Sequence, residues 1–170
     1  MRPSRMSWTV QPLLISLFII LISLPPQAVG AEEDKVVGAV ENIILMPRKI
    51  TLPARIDTGA ATTSLDAREL VIRGNMAEFH LSETWGGEKM KLPVKGWKKI
   101  KGSENQQRRP VVELDICIGD RLLRVEVNLM DRSRLQYPLL VGRDVLGKGF
   151  IVDVRKMHAL PPRCPETSRP

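Results

Sequence analysis

Between Val111 and Leu129 the chain alternates apolar and polar residues twice, with Gly119-Asp120 separating the two runs. Val111-Val112-Glu113-Leu114-Asp115-Ile116-Cys117-Ile118 and Leu122-Leu123-Arg124-Val125-Glu126-Val127-Asn128-Leu129 each repeat with a period of two. That period buries one face of a strand and wets the other, and the Gly-Asp step turns the chain back. The centre of the sequence is thereby committed to an antiparallel hairpin. Shorter β-type runs surround it, at residues 36–40, 43–45, 54–56, 78–81, 89–94, 138–141 and 150–154. Trp85-Gly86-Gly87 reads as a hairpin tip between two of them. Residues 64–72 fit a strand or a helical turn, and Gly102 to Arg109 reads as a polar loop. Arg143-Asp144-Val145-Leu146 is the one short helix expected. Strands of this number and length form a small β-barrel, so the expected class is all-β.

The chemistry concentrates at Asp57-Thr58-Gly59-Ala60, after the run 48–56 and before Thr62-Thr63-Ser64-Leu65. An Asp at the end of a strand, followed by a small hydroxyl residue and a Gly, presents a carboxylate on a tight turn. Acid–base hydrolysis by carboxylates needs two of them on one water, and the chain has a single Asp-Thr-Gly. The tripeptide alone is also a plausible turn. A later segment, Leu139-Leu140-Val141-Gly142-Arg143-Asp144, strengthens the functional reading by its resemblance to the strand that passes beside the catalytic loop in aspartic peptidases, where a Gly allows close backbone approach.

Arg55-Ile56-Asp57-Thr58-Gly59-Ala60, Tyr137 to Leu146 and Phe150-Ile151-Val152-Asp153-Val154 together resemble a retropepsin. More closely, the chain is similar to a bacterial retropepsin-like aspartic peptidase family that has carried the label ATP-dependent zinc protease. Arg109-Pro110-Val111-Val112 and Leu129-Met130-Asp131-Arg132 share in the resemblance, which covers residues 36–155. It implies an acid-protease β-barrel, one lobe per chain, with at most one short helix after the Gly142 segment, and a homodimer that pairs two Asp57 carboxylates. In such a pair one carboxylate is ionised and the other protonated, and the two titrate as a unit. By the same resemblance Asp57, Thr58 and Gly59 are the catalytic set, with Thr58 bonding across the two-fold axis. Ala60, Gly142, Arg143 and Asp144 are the substrate-binding or structural support. The alternative is a non-catalytic peptide-binding or scaffolding module on the same fold.

Three departures from the retropepsin pattern bear on the site. Arg55 stands where an apolar residue is usual. Ala61 replaces the acidic residue that pairs with the Arg of the Gly-Arg segment, so Arg143 needs another partner, with Asp144 or Asp66 as candidates. No retroviral-type flap is evident; Gly86-Gly87 is either its tip or an ordinary surface turn. Some family members trim amino-acid or glutamate tails, and a basic chain suits an acidic substrate.

The label itself finds little support in the residues. Gly142 to Lys148 fits the spacing GxxxxGK, but Gly149 stands where a phosphate loop needs Ser or Thr. His80 and His158 lie far apart, with no HExxH, and read as surface or structural residues. No cofactor and no metal are therefore expected. Asp131-Arg132 reads as a structural ion pair, and Trp85 and Trp97 as packing residues or walls of a peptide groove.

Arg2 and Arg5, the apolar run 13–24, Pro25-Pro26 and Ala28-Val29-Gly30 make a signal-peptide pattern with cleavage before Ala31. The apolar run is short of the ~20 residues that span a bilayer, so no stable membrane anchor is expected. The expected organisation is residues 1–30 signal peptide, 31–35 linker, 36–155 retropepsin-like domain and 156–170 Pro-rich tail. The expected location is periplasmic or secreted, with a peptide or protein substrate and no nucleic acid. Without Arg2 and Arg5, 24 basic residues face 19 acidic ones, a net charge of +5. Two cysteines remain, Cys117 and Cys164. Export would place them where a bridge can form, but sequence leaves their pairing open.

Overall fold

A computed structural model describes residues 33–100 and 107–164. Eleven strands occur in them: β1 (Lys35–Val37), β2 (Val40–Met46), β3 (Ile50–Ile56), β4 (Ser64–Asp66), β5 (Arg68–Arg73), β6 (Met76–His80), β7 (Lys89–Ile100), β8 (Gln107–Ile118), β9 (Arg121–Met130), β10 (Leu139–Val141) and β11 (Phe150–Val152). One four-residue helix, α1 (Arg143–Leu146), follows β10, and a 3-10 turn spans Glu83–Trp85.

Six strands close a mixed barrel in the order β2-β3-β10-β4-β9-β8, with β8 returning to β2. Closure removes the open edges that a sheet of this size would otherwise expose. Around the barrel β3–β10 and β4–β9 pair parallel and the other neighbours antiparallel. The sheet then continues past β8 into β7, β6 and β5, while β1 and β11 form a separate parallel pair. The all-β barrel with one short helix after Gly142 is the architecture expected from sequence.

The alternating hairpin is β8–β9, turned at Gly119-Asp120, with Val112 opposite Val127 and Leu114 opposite Val125. Its inward residues join Ile43, Leu45, Leu52, Leu65 and Leu139 in the core, all nearly or fully buried. Full burial of each such side chain contributes about 1.5–3 kcal/mol. On β3 the same period turns Leu52, Ala54 and Ile56 inward and Arg55 outward to solvent, so the charged residue before Asp57 does not enter the core.

Two readings that sequence left open are decided and one is corrected. Residues 64–72 take the strand alternative, as β4 and β5. Gln107 to Arg109 belong to β8 and pair with β7, so the polar stretch is strand on its far side; residues 101–106 lie outside the described residues. The bridge that sequence left open is present, Cys117–Cys164, with Cα atoms 5.5 Å apart, within the span a disulfide requires. Residues 156–164 lie on the barrel: the His158 N–H donates to the Val40 carbonyl and the Arg163 N–H to the Gly119 carbonyl. Residues 1–30, which sequence reads as a signal peptide, lie outside the described residues.

Candidate active site

β3 ends at Ile56 and delivers Asp57 into a short loop beside β10. The Asp57 N–H donates to the Val141 carbonyl at 3.0 Å, and the Arg143 N–H donates to the Ala60 carbonyl at 2.9 Å. These bonds clamp the loop from both sides. Asp57 Oδ1 accepts the N–H groups of Gly59 (2.9 Å) and Ala60 (3.2 Å). Its second oxygen makes no hydrogen bond among the described residues, and the residue is half-buried. Thr58 and Gly59 are exposed at the loop apex.

Gly142 passes directly under this loop. A Cβ there would sit 2.7 Å from the Thr62 carbonyl carbon, 2.9 Å from its nitrogen and 3.0 Å from its oxygen. Only a residue without a side chain fits against that backbone. The Gly142 N–H donates to Thr63 Oγ1 at 3.1 Å. Thr63, fully buried, donates in turn from Oγ1 to Asp144 Oδ1 (2.8 Å), and its own N–H reaches Asp144 Oδ2 (2.9 Å). Asp144 also accepts the Val145 N–H at 3.0 Å, tying the first turn of α1 to the loop.

Arg143 does not pair with Asp144 or Asp66. Its Nη1 donates to the carbonyls of Thr58 (2.8 Å) and Gly59 (2.9 Å). With Ala61 offering no carboxylate, the guanidinium binds the loop backbone instead and holds the Asp-Thr-Gly turn from its outer side. Asp66 is committed elsewhere, to the Arg68 guanidinium at 2.7 Å and the Arg132 N–H at 2.7 Å.

The hairpin β7–β8 shares a cavity with the loop, and Gly86 and Gly87 are not among the residues that line it. Gly86 and Gly87 follow the 3-10 turn in the connection from β6 to β7, both at positive φ. A cavity of about 440 Å³ is lined on one side by Gly59, Ala60, Thr62 and Ser64 and on the other by Lys98, Lys99, Ile100 and Arg109, with Asn128 and Arg132 in its wall. Asp57 is not part of that wall; it sits on the same loop, two residues before Gly59.

The sequence reading did not place these basic residues beside the Asp57 loop. Arg132 is buried, with Nη1 donating to Ser64 Oγ (2.8 Å) and Nε to the Tyr137 carbonyl (2.9 Å). It forms no ion pair with Asp131, which meets Arg68 at 3.4 Å instead. Burial pushes the Arg132 guanidinium below its ordinary pKa; the negative charges of Asp66 and Asp57 oppose the shift, and Arg109 adds to it. Burial likewise lowers Arg109, and both stay charged at any ordinary pH. Arg109 Nη1 donates to Asn128 Oδ1 at 3.3 Å, and Asn128 Nδ2 donates to the Thr63 carbonyl. Asn128 therefore links the hairpin strand to the loop. The hint in sequence was an Asn, not a charged residue, at the end of the wet face of β9.

The other candidates lie apart from the loop. Trp85 packs against the core, whereas Trp97 is exposed on β7 with the Arg108 guanidinium 5.3 Å from its ring centre. Lys148, the last position of the GxxxxGK spacing, donates to the Arg124 carbonyl. Among the described residues, no three His, Cys, Asp or Glu side chains gather as a metal site.

A closed six-stranded barrel, an Asp-Thr-Gly loop at the end of its second strand and a Gly segment passing beneath that loop define one lobe of the aspartic-peptidase type. The chain belongs to the RimB-like family, described as retropepsin-like aspartic endopeptidase RimB, whose family model matches residues 36–161. It is also similar to a crystal structure of a protein with unknown function (DUF785) from Legionella pneumophila. That likeness has a TM-score of 0.62 and 32% sequence identity, and covers 72% of this chain and 95% of that one. Comparison with curated proteins finds no match.

Proposed function

We propose that this protein is an exported aspartic endopeptidase that works as a homodimer, each protomer contributing Asp57 to one shared site. The observation that carries this reading is the bracing of the Asp57 loop. Bonds from Val141, Gly142, Arg143 and Asp144 fix it, while one Asp57 oxygen has no hydrogen bond among the described residues and the apex Thr58-Gly59 is exposed. Rigid presentation of an otherwise uncommitted carboxylate is what acid–base catalysis requires. The neighbouring carboxylates, Asp66 and Asp144, are engaged in structural bonds. A second copy is the natural source of the second catalytic carboxylate.

In the paired site, one Asp57 takes a proton from the attacking water and the other donates one to the scissile carbonyl oxygen. Two carboxylates a few Å apart cannot both ionise cheaply, so their titrations split. Arg143, holding the carbonyls of Thr58 and Gly59, keeps the loop in shape while that proton moves.

The cavity walls favour acidic peptides. Lys98, Lys99, Arg109 and Arg132 line it, and the Arg109 charge adds to the cost of keeping buried Arg132 charged. A carboxylate side chain bound between them would relieve that repulsion. Export is supported by the leader pattern and by the Cys117–Cys164 bridge, which persists in oxidising compartments.

The test is cleavage of a mixed peptide library by residues 31–170 from acidic to neutral pH. We expect cleavage that Asp57→Asn abolishes without unfolding the protein. Retained cleavage in the mutant would overturn the assignment, and no cleavage by folded wild type at any pH would favour a binding module.

A further inference from the structure

Glu41 is fully buried although it sits on a barrel strand, directly opposite Ala54 on β3. Its carboxylate accepts three backbone N–H groups: Gly38 (2.6 Å) and Ala159 (2.9 Å) on Oε1, and Leu160 (3.2 Å) on Oε2. Two of the three donors belong to the chain beyond β11. A buried carboxylate satisfied by backbone donors from two separate segments fastens them together.

The fastening continues along the segment. The Asp153 N–H donates to the Val37 carbonyl (2.9 Å), the Ala39 N–H to the Lys156 carbonyl (2.8 Å), and the His158 N–H to the Val40 carbonyl (2.7 Å). Gly38 makes this approach possible, since a Cβ there would lie 2.5 Å from the Lys156 oxygen. Further on, Leu160 covers Gly119, and the Arg163 N–H donates to the Gly119 carbonyl (2.8 Å). Cys164 then closes the covalent bond to Cys117, which is buried on β8.

One bond carries this arrangement to the site. The Ala39 carbonyl accepts the Ile56 N–H at 3.0 Å, and Ile56 immediately precedes Asp57. A chain of contacts thus runs from the disulfide through residues 156–160, Glu41 and Ala39 to the base of the Asp57 loop.

We propose that residues 153–164 are a disulfide-locked strap that positions the Asp57 strand, with Glu41 as its positioning residue, and that thiol–disulfide exchange at Cys117–Cys164 loosens strap and strand together. The exchange needs a dithiol reductant. Cys164 is partly exposed and Cys117 buried, so the incoming thiolate attacks the Cys164 sulfur. Cys117 leaves as a thiolate, and the reductant's second thiolate then displaces Cys164. The protein gains two thiols, each protonated from water, and the reductant closes into its own disulfide. The consequence for catalysis rests on the Asp57 reading; the motion of the strap does not.

Amide hydrogen exchange on residues 31–170 tests this, comparing the oxidised protein, the same protein in dithiothreitol, and Cys164→Ser. Exchange at Ala159, Leu160 and Arg163 should rise at least about tenfold in the latter two, and at Ala39 and Ile56 with them, while Val125 and Val127 stay protected. Glu41→Gln with the bridge intact should reproduce the rise at Ala39 and Ile56. The proposal is overturned if the tail amides speed up while Ile56 does not, if no amide changes on reduction, or if Val125 and Val127 rise equally. Should Glu41→Gln fail to fold, the Cys164→Ser comparison decides alone. Where peptide cleavage is measurable, reduction should lower kcat with KM unchanged; absence of cleavage in both redox states would count against the Asp57 reading only.

Discussion

Gly142→Ala isolates the packing on which the Asp57 loop depends. The added methyl would meet three backbone atoms of Thr62, the nearest at 2.7 Å, where ordinary contact begins near 3.4 Å. The loop or β10 must therefore move by about 0.7 Å, and no flexible side chain is available to yield. The φ of Gly142 is −95°, open to any residue, so the cost is steric and not conformational. Overpacking of this kind costs about 2–3 kcal/mol, which for a domain this size lowers Tm by roughly 10 °C. Gly96→Ala is the internal control: nothing lies within 4 Å of a Cβ there, so its effect should stay within about 0.5 kcal/mol. Urea denaturation of the two mutants, read by tryptophan fluorescence, measures the difference. If Gly142→Ala were as mild as Gly96→Ala, close backbone approach would not be what this position requires. Because the Arg143 N–H and Asp57 N–H bonds flank the contact, the same mutant should also lose peptide cleavage at temperatures where it remains folded.

Thr63→Val keeps the shape but removes the hydroxyl that joins Gly142 to Asp144; loss of about 2–3 kcal/mol is expected in the same assay, and a neutral result would refute the network. Arg143→Met removes the loop bonds of an exposed side chain, so stability should change by less than about 1 kcal/mol while cleavage falls sharply; unchanged cleavage would remove Arg143 from the site. Acid should weaken the fold. The Asp120, Asp131 and Asp153 carboxyls are held below their ordinary value, chiefly by bonds from Lys35, Ser133 and Arg155 respectively, and Glu78 chiefly by Lys91. Depressed folded-state values mean that this stabilisation is present above the ordinary carboxylate pKa and is lost as pH falls through the folded values. Denaturation midpoints should therefore decline below about pH 4, and less steeply in Asp120→Asn with Asp153→Asn; an unchanged slope would contradict the assignment.

Much of the fold was legible because period-two alternation is a local signal. Residues 111–129 announced their own hairpin, and Leu139 to Val141 with Phe150 to Val152 appeared as short apolar runs. A barrel was expected from strand number and from the resemblance, but the pairing that closes it was not legible, since β2 and β8 join residues about seventy apart. The loop around Asp57 and its support residues Gly142, Arg143 and Asp144 could be named, but not all the bonds they make: Arg143 bonds to the carbonyls of Thr58 and Gly59, which leave no mark on side-chain composition. The hairpin beside the site was hidden for a related reason. Arg108 and Arg109 form strand because β8 pairs there with Lys98 and Lys99 of β7, while in sequence Gly102 to Arg109 reads as a polar loop. Arg132 was misassigned because Asp131 is its neighbour in sequence, whereas its actual partners are Ser64 and Tyr137.

The shared site is tested most directly by subunit mixing. Wild-type and Asp57→Asn protein are unfolded together in equal amounts, refolded so that subunits exchange, and assayed on the same peptide. If one site needs Asp57 from both protomers, only wild-type homodimers cut, and activity falls to about one quarter of that of an all-wild-type sample at equal total protein. Retention of about one half would mean that each chain acts alone, and would contradict the paired-Asp57 account.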